Sequence, residues 1–243
     1  MPLQTILLFT GSYFLFFALL LLAKKRGANR ITTVNGHLVS SPLLLWLHLA
    51  GVLLFGLLPF CFSGGLLFSF FYISTGRPAP TMICVFLFLV TLWLAPRLAQ
   101  KQGQKFSSEA WVASPTPLFL GLYFFLRLLF IAAYEVWFRG LLLQESIAVL
   151  GTLWAVVLNT GFYTLLHLVN DKREWLLCIP FGTLLCILCI WQQAVWPAVF
   201  IHLALTMGYV MTFVKKHILY THFYAHPPHR RIRFHRSPSR ERA

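Results

Sequence analysis

Apolar residues run along this chain in stretches that approach the length needed to cross a bilayer, with polar and basic residues gathered between them. Seven spans are predicted: 3–23, 42–60, 80–96, one starting near Leu118, 147–168, 175–191 and 196–214. Pro115-Thr116-Pro117 marks the start of span four, because proline suits the first turn of a helix. A short apolar piece at 64–74 is too short to cross again. The first run is too long for a removable signal and lacks a basic start and a small-residue cleavage site, so it is expected to stay as a span. The predicted fold is an all-α, polytopic membrane helical bundle in three parts: spans one to three with a cytoplasmic loop (1–116), a core of spans four to seven (117–214), and a basic tail (215–243) expected to be disordered.

Composition agrees with this pattern, since 58% hydrophobic residues, 11% charged residues and a mean hydropathy of +0.74 exclude the soluble class. A net charge of +14 would suggest nucleic acid in a soluble protein, but seventeen of the twenty Lys and Arg fall in four clusters, at 24–30, 97–105, 172–173 and 215–242. With seven spans all four lie on one side, and Arg77 alone on the other. The positive-inside rule then predicts a cytoplasmic tail and an N-terminus outside. The tail, with His217, His222, His226, His229 and His235, is read as lying on anionic lipid rather than as a metal or nucleic-acid site. Five cysteines sit in apolar segments without a disulfide framework, and Cys186 and Cys189 read as packing residues.

Ionisable groups in hydrocarbon are costly and are functional candidates by default. Arg127, Glu135, Arg139, His167 and His202 form that set, with Asn159, Thr206, Gln192 and Gln193 as weaker company. Glu135 is one of only six acidic residues, and Arg139 follows one turn later on the same face, with Arg127 two turns before. An internal ion pair that lets a polar helix pack is the structural reading of this stripe. His167 has Tyr163 one turn earlier and His202 has Thr206 one turn later. A carboxylate with two imidazoles can activate water and stabilise an oxyanion. The same three groups could also hold zinc.

In their order and surroundings, these residues resemble the CAAX prenyl protease and bacteriocin-processing family of intramembrane proteases, also called the Abi or type II CAAX endopeptidase family. Its Glu-Glu-x-x-x-Arg motif followed by Gly reads here Tyr134-Glu135-Val136-Trp137-Phe138-Arg139-Gly140. Phe-x-x-x-His appears as Tyr163 to His167, and His-x-x-x-Asn/Asp as His202 to Thr206. Phe181-Gly182 and Trp196-Pro197-Ala198 also look like the family. The resemblance covers about 117–214 and implies an endopeptidase that hydrolyses a membrane-associated substrate, prenylated or leader-type, by water activation. It implies Glu135, His167 and His202 as catalytic residues, with Arg139, Tyr134, Tyr163 and Thr206 in support. No cofactor is expected, zinc on Glu135, His167 and His202 being the less favoured variant. The site is that of an integral, multi-pass protein, expected in the cytoplasmic membrane of a bacterium.

The departures fall on the chemistry. The family's general base is the first Glu, here Tyr134, and a phenol is a poor base at neutral pH. Either Glu135 replaces it, or the chain keeps the fold as a non-catalytic membrane protein that binds a peptide or serves as an immunity or scaffold protein. The expected boundaries also place Glu135 toward the outer end of span four and His167 toward the cytoplasmic end of span five, at different depths.

Overall fold

The computed structural model describes residues 3–32, 38–63, 77–103 and 115–225. The expected short piece at 64–74 and the tail beyond 225 lie outside the described residues. The elements are α1 (Leu3–Lys25), α2 (Pro42–Val52), α3 (Leu58–Ser63), α4 (Pro78–Gly103), α5 (Pro117–Glu135), α6 (Leu143–His167), α7 (Lys172–Gln192) and α8 (Trp196–Ala225). A π-helical turn, Leu53–Leu57, joins α2 to α3, and another, Val136–Leu142, joins α5 to α6. Among the described residues the only extended pairing is a single bridge between Thr32 and Leu38.

Local chemistry fixes the helix starts. The first amides of a helix lack internal partners. Ser41 accepts from the Leu43 N–H at 3.3 Å, and Thr116 from the Phe119 N–H at 3.2 Å, each with a proline in the first helical turn. The helices then expose large apolar side chains, Phe86, Leu153 and Trp154 among them, on a surface suited to lipid rather than water.

Six helices among the described residues are long and apolar enough to cross a membrane, against seven expected. The difference lies in 117–167, where the two expected spans form one continuous 51-residue segment. Straight, it would be about 75 Å long, more than twice the ~30 Å hydrocarbon core. It is not straight, because Gly151 adopts φ 76° and ψ 166°, a left-handed and extended combination open to glycine. Beyond it the chain returns along itself: Asn159 Nδ2 donates to the Phe138 carbonyl at 2.5 Å, and the rings of Tyr163 and Tyr134 are 5.8 Å apart. The polar residues Gln144, Glu145 and Ser146, just before the expected start of span five at 147, are helical.

Two other boundaries move. Pro96 does not end its helix; α4 continues to Gly103, with Ala95 and Ala99 buried where the helix packs on α8. Membrane helices tolerate proline because neighbours compensate for the lost hydrogen bond. Similarly, α8 passes Lys215 and Lys216 and runs to Ala225, so the stretch expected as a disordered tail starts as helix.

The ends of the bundle separate by charge. Arg30 lies 3.6 Å from Asp171, and Asn29 donates to Asn170 at 3.4 Å, which joins the 24–30 and 172–173 clusters at one end. Arg77 donates to the Trp191 carbonyl at 2.7 Å at the other. Between the ends, Tyr13, Phe55, Tyr134, Trp137, Phe138 and Tyr163 form an aromatic core around the polar residues of α5.

Candidate functional site

Glu135 ends α5, and Arg139 stands in the π-helical turn directly after it. Both are completely buried, with Arg139 Nη1 3.1 Å from Glu135 Oε2. The other carboxylate oxygen, Oε1, accepts from His202 Nδ1 of α8 at 2.5 Å. A charge taken out of water persists only when paired and hydrogen-bonded, and this carboxylate has a cation on one oxygen and an imidazole on the other. The guanidinium also lies over the Tyr163 ring at 4.5 Å and near the Phe138 ring at 5.6 Å, where it gains cation–π stabilisation.

Tyr134 occupies an aromatic box. Its ring centroid is 4.5 Å from that of Phe138, 5.7 Å from Phe130, 5.8 Å from Phe55 and 6.1 Å from His202. Its hydroxyl is buried and has no hydrogen-bond partner among the described residues, as do the guanidinium N–H groups of Arg139. Gly182 of α7 closes one side, and a Cβ there would lie 3.0 Å from the Tyr163 ring and 3.6 Å from Arg139 Nη2. Glycine here spares the Tyr163 ring a shift of a few tenths of an ångström.

His167 stands apart. Its ring is 5.0 Å from that of Tyr163, so it is one turn from the cluster and not at a remote depth. The expected mismatch in depth disappears because α5 and α6 reverse at Gly151 and bring Tyr163 against Tyr134. Its Nδ1 lies 3.5 Å from Glu174 Oε1, an oxygen that also accepts from Asn170 Nδ2 at 2.5 Å, and no hydrogen bond joins His167 to Glu135 among the described residues. Thr206, one turn after His202, is half-buried and makes no hydrogen bond to Glu135 among the described residues. Of the expected residues, then, Glu135, Arg139, His202, Tyr134 and Tyr163 come together, and His167 and Thr206 remain at the edge.

This arrangement does not suit zinc on Glu135, His167 and His202. Two of the three donors meet, the third turns to Glu174, and a guanidinium stands where a second cation would be repelled. Among the described residues no group of three His, Cys, Asp or Glu side chains is placed to hold a metal ion.

Arg127 departs from the expected stripe. Instead of joining Glu135 it lies with Nη1 3.1 Å from Nε2 of His48 in α2, whose Nδ1 donates to the Leu44 carbonyl at 2.7 Å. His48 is 3% exposed and was missing from the expected polar set. The available signal was a histidine inside span two, one turn after Leu44 in an otherwise apolar run. Asn159 was only weak company, yet it fastens the reversal: it donates to Phe138 and accepts from Cys186 Sγ at 3.2 Å. Cys186 and Cys189 are both buried free thiols.

All three motif positions lie in one continuous region of the chain. Residues 115–208 match the type II CAAX prenyl endopeptidase Rce1-like family. No curated protein and no solved structure matches the chain. The Rce1-like region runs from the start of α5 into α8 and thus contains Glu135, Arg139, His167 and His202. The protein is an all-helical integral membrane protein whose residues 115–208 are similar to this family, and its helices before residue 115 lie outside the match.

Proposed function

We propose that this protein is a non-catalytic member of the CAAX-protease-like fold, a membrane protein that binds a membrane-associated peptide, in the manner of an immunity or scaffold protein, without cutting it. One observation carries this reading: Glu135 is fully buried, hydrogen-bonded to His202 through one carboxylate oxygen and ion-paired at 3.1 Å with the Arg139 guanidinium at the other. A general base needs a lone pair facing the water it activates. The residue beside it, Tyr134, is a phenol inside an aromatic box, and His167 is turned to Glu174. The basic ends of α1 and α8 then face the cytoplasm, following the positive-inside rule.

A second reading, hydrolysis with Glu135 as base and His202 on the oxyanion, is favoured by the unmet hydrogen bonding of Glu135 Oε2, Tyr134 Oη and the Arg139 guanidinium among the described residues. A water molecule would satisfy those groups, and a peptide carbonyl the donors among them. The two readings separate in proteoliposomes given a prenylated peptide and a leader-type peptide. Peptide that sediments with the proteoliposomes and stays intact is the expected result, for the native chain and Glu135→Gln alike. Cleavage by the native chain that Glu135→Gln abolishes would overturn it in favour of hydrolysis.

A further inference from the structure

A second site lies on the other side of the aromatic core. A cavity of about 340 Å³ opens between α1, the π-helical turn and α6, walled by Phe9, Trp137, Leu141, Leu158 and Phe162. The stacked rings of Tyr13 and Trp137, 5.7 Å apart and 20° from parallel, form its inner wall, and neither Glu135 nor His202 lines it. Its volume lies at the lower end of the range for small-molecule sites, roughly 300–1,000 Å³. At about 30 Å³ per water-sized group it holds roughly ten such groups.

The polar groups of this cavity gather at one place. Thr10, Glu145 and Ser146 line it, and the Ser146 side chain is buried in its wall. Glu145 stands in the continuous apolar segment 117–167 and has no ion-pair partner among the described residues. Every other acidic side chain among the described residues has a positively charged or imidazole partner: Glu135 pairs with Arg139 and His202, Asp171 with Arg30, and Glu174 with His167. Glu145 is an exposed side chain, and an unpaired carboxylate beside apolar walls attracts a cation.

We infer that the cavity binds a single-chain cationic amphiphile, its apolar chain between Trp137 and Phe162 and its ammonium group at Glu145 and Ser146. The size of the cavity selects one chain rather than the two of a bilayer phospholipid. The carboxylate selects an amine over a neutral or anionic head. The assignment is independent of whether the Glu135 cluster hydrolyses anything.

The test uses the full chain in phosphatidylcholine nanodiscs and two photoreactive probes of equal length, a diazirine-bearing dodecylamine and the matching alcohol. Labelled sites are mapped by mass spectrometry. At equal membrane mole fraction the amine is expected to label the segment 137–162 about tenfold more than the alcohol, the size of preference that about 1.4 kcal/mol produces. Glu145→Gln should bring the two probes within about twofold, and Leu158→Trp, which fills the cavity, should remove amine labelling there. Val149→Trp, on an exposed position of the same cavity, serves if the first filling variant does not fold. Equal labelling by amine and alcohol in the native chain, labelling spread evenly over the lipid-facing helices, or labelling indifferent to filling would each overturn the assignment.

Discussion

Among the described residues two carboxylate–imidazole pairs share chemistry but little else. Glu135 and His202 meet in the centre, 2.5 Å apart, with Arg139 beside them and no exposure of Glu135. Glu174 and His167 meet at the edge, 3.5 Å apart, with side chains 45% and 22% exposed. The buried pair is held by groups from α5, the π-helical turn and α8, and it cannot lose one partner without stranding another charge. The edge pair sits where water and neighbouring Asn170 already share the work. Burial, and not the residue types, decides which pair the fold depends on.

The largest effect is expected from Arg139→Leu. It leaves Glu135 charged and unpaired in the core, a change of about 3–5 kcal/mol for a broken buried pair, read as a loss of thermal stability in mild detergent. A double variant, Arg139→Leu with Glu135→Leu, should recover much of that loss, since replacing both partners by apolar groups removes the stranded charge. Stability of the single variant equal to the native chain would break the comparison.

Tyr134→Glu comes next, and it tests whether the family's acid can be put back. The new carboxylate enters a box formed by Phe55, Phe130, Phe138 and Tyr163 and stands beside Glu135. Burying it there is expected to cost about 3 kcal/mol, visible in the same thermal unfolding. The smallest effect belongs to Glu174→Gln, under about 1 kcal/mol as for other partly exposed pairs. What remains of it should shrink further in high salt. A Glu174→Gln loss as large as that of Arg139→Leu would place the edge pair on an equal footing with the central one.

The sequence made the apolar runs, the basic clusters and the three motifs legible because each is a local pattern of a few to twenty residues. The Glu135–Arg139 pair was readable for the same reason, being one turn apart on one helix. Other partners were not. Arg127 and His48 are distant in sequence, as are Tyr13 and Phe162, whose carbonyl accepts from the tyrosine hydroxyl at 2.9 Å. His167 was expected to join Glu135 because the family motif places it there, but its choice of Glu174 depends on how α7 starts after the turn at 168–171. Pro96 misled because proline ends helices in water more readily than in a packed membrane bundle. Gly151 was not singled out, since glycine inside an apolar run carries no sign of its own φ.

The two π-helical turns face each other across the core: the ring of Phe55 lies 5.2 Å from that of Trp137. In each, the next amide reaches back five residues, Leu58 to Leu53 and Leu143 to Phe138. One extra residue is thereby absorbed without lengthening the helix, and everything after it is turned by about 100° relative to everything before. The turn after Glu135 acts as a phase shifter: α5 presents its polar face to His202, and α6 starts with a different face inward. Deleting a single residue from 136–142 would therefore be felt as rotation rather than shortening, with the arm up to Gly151 aiming its apolar face at the wrong neighbour.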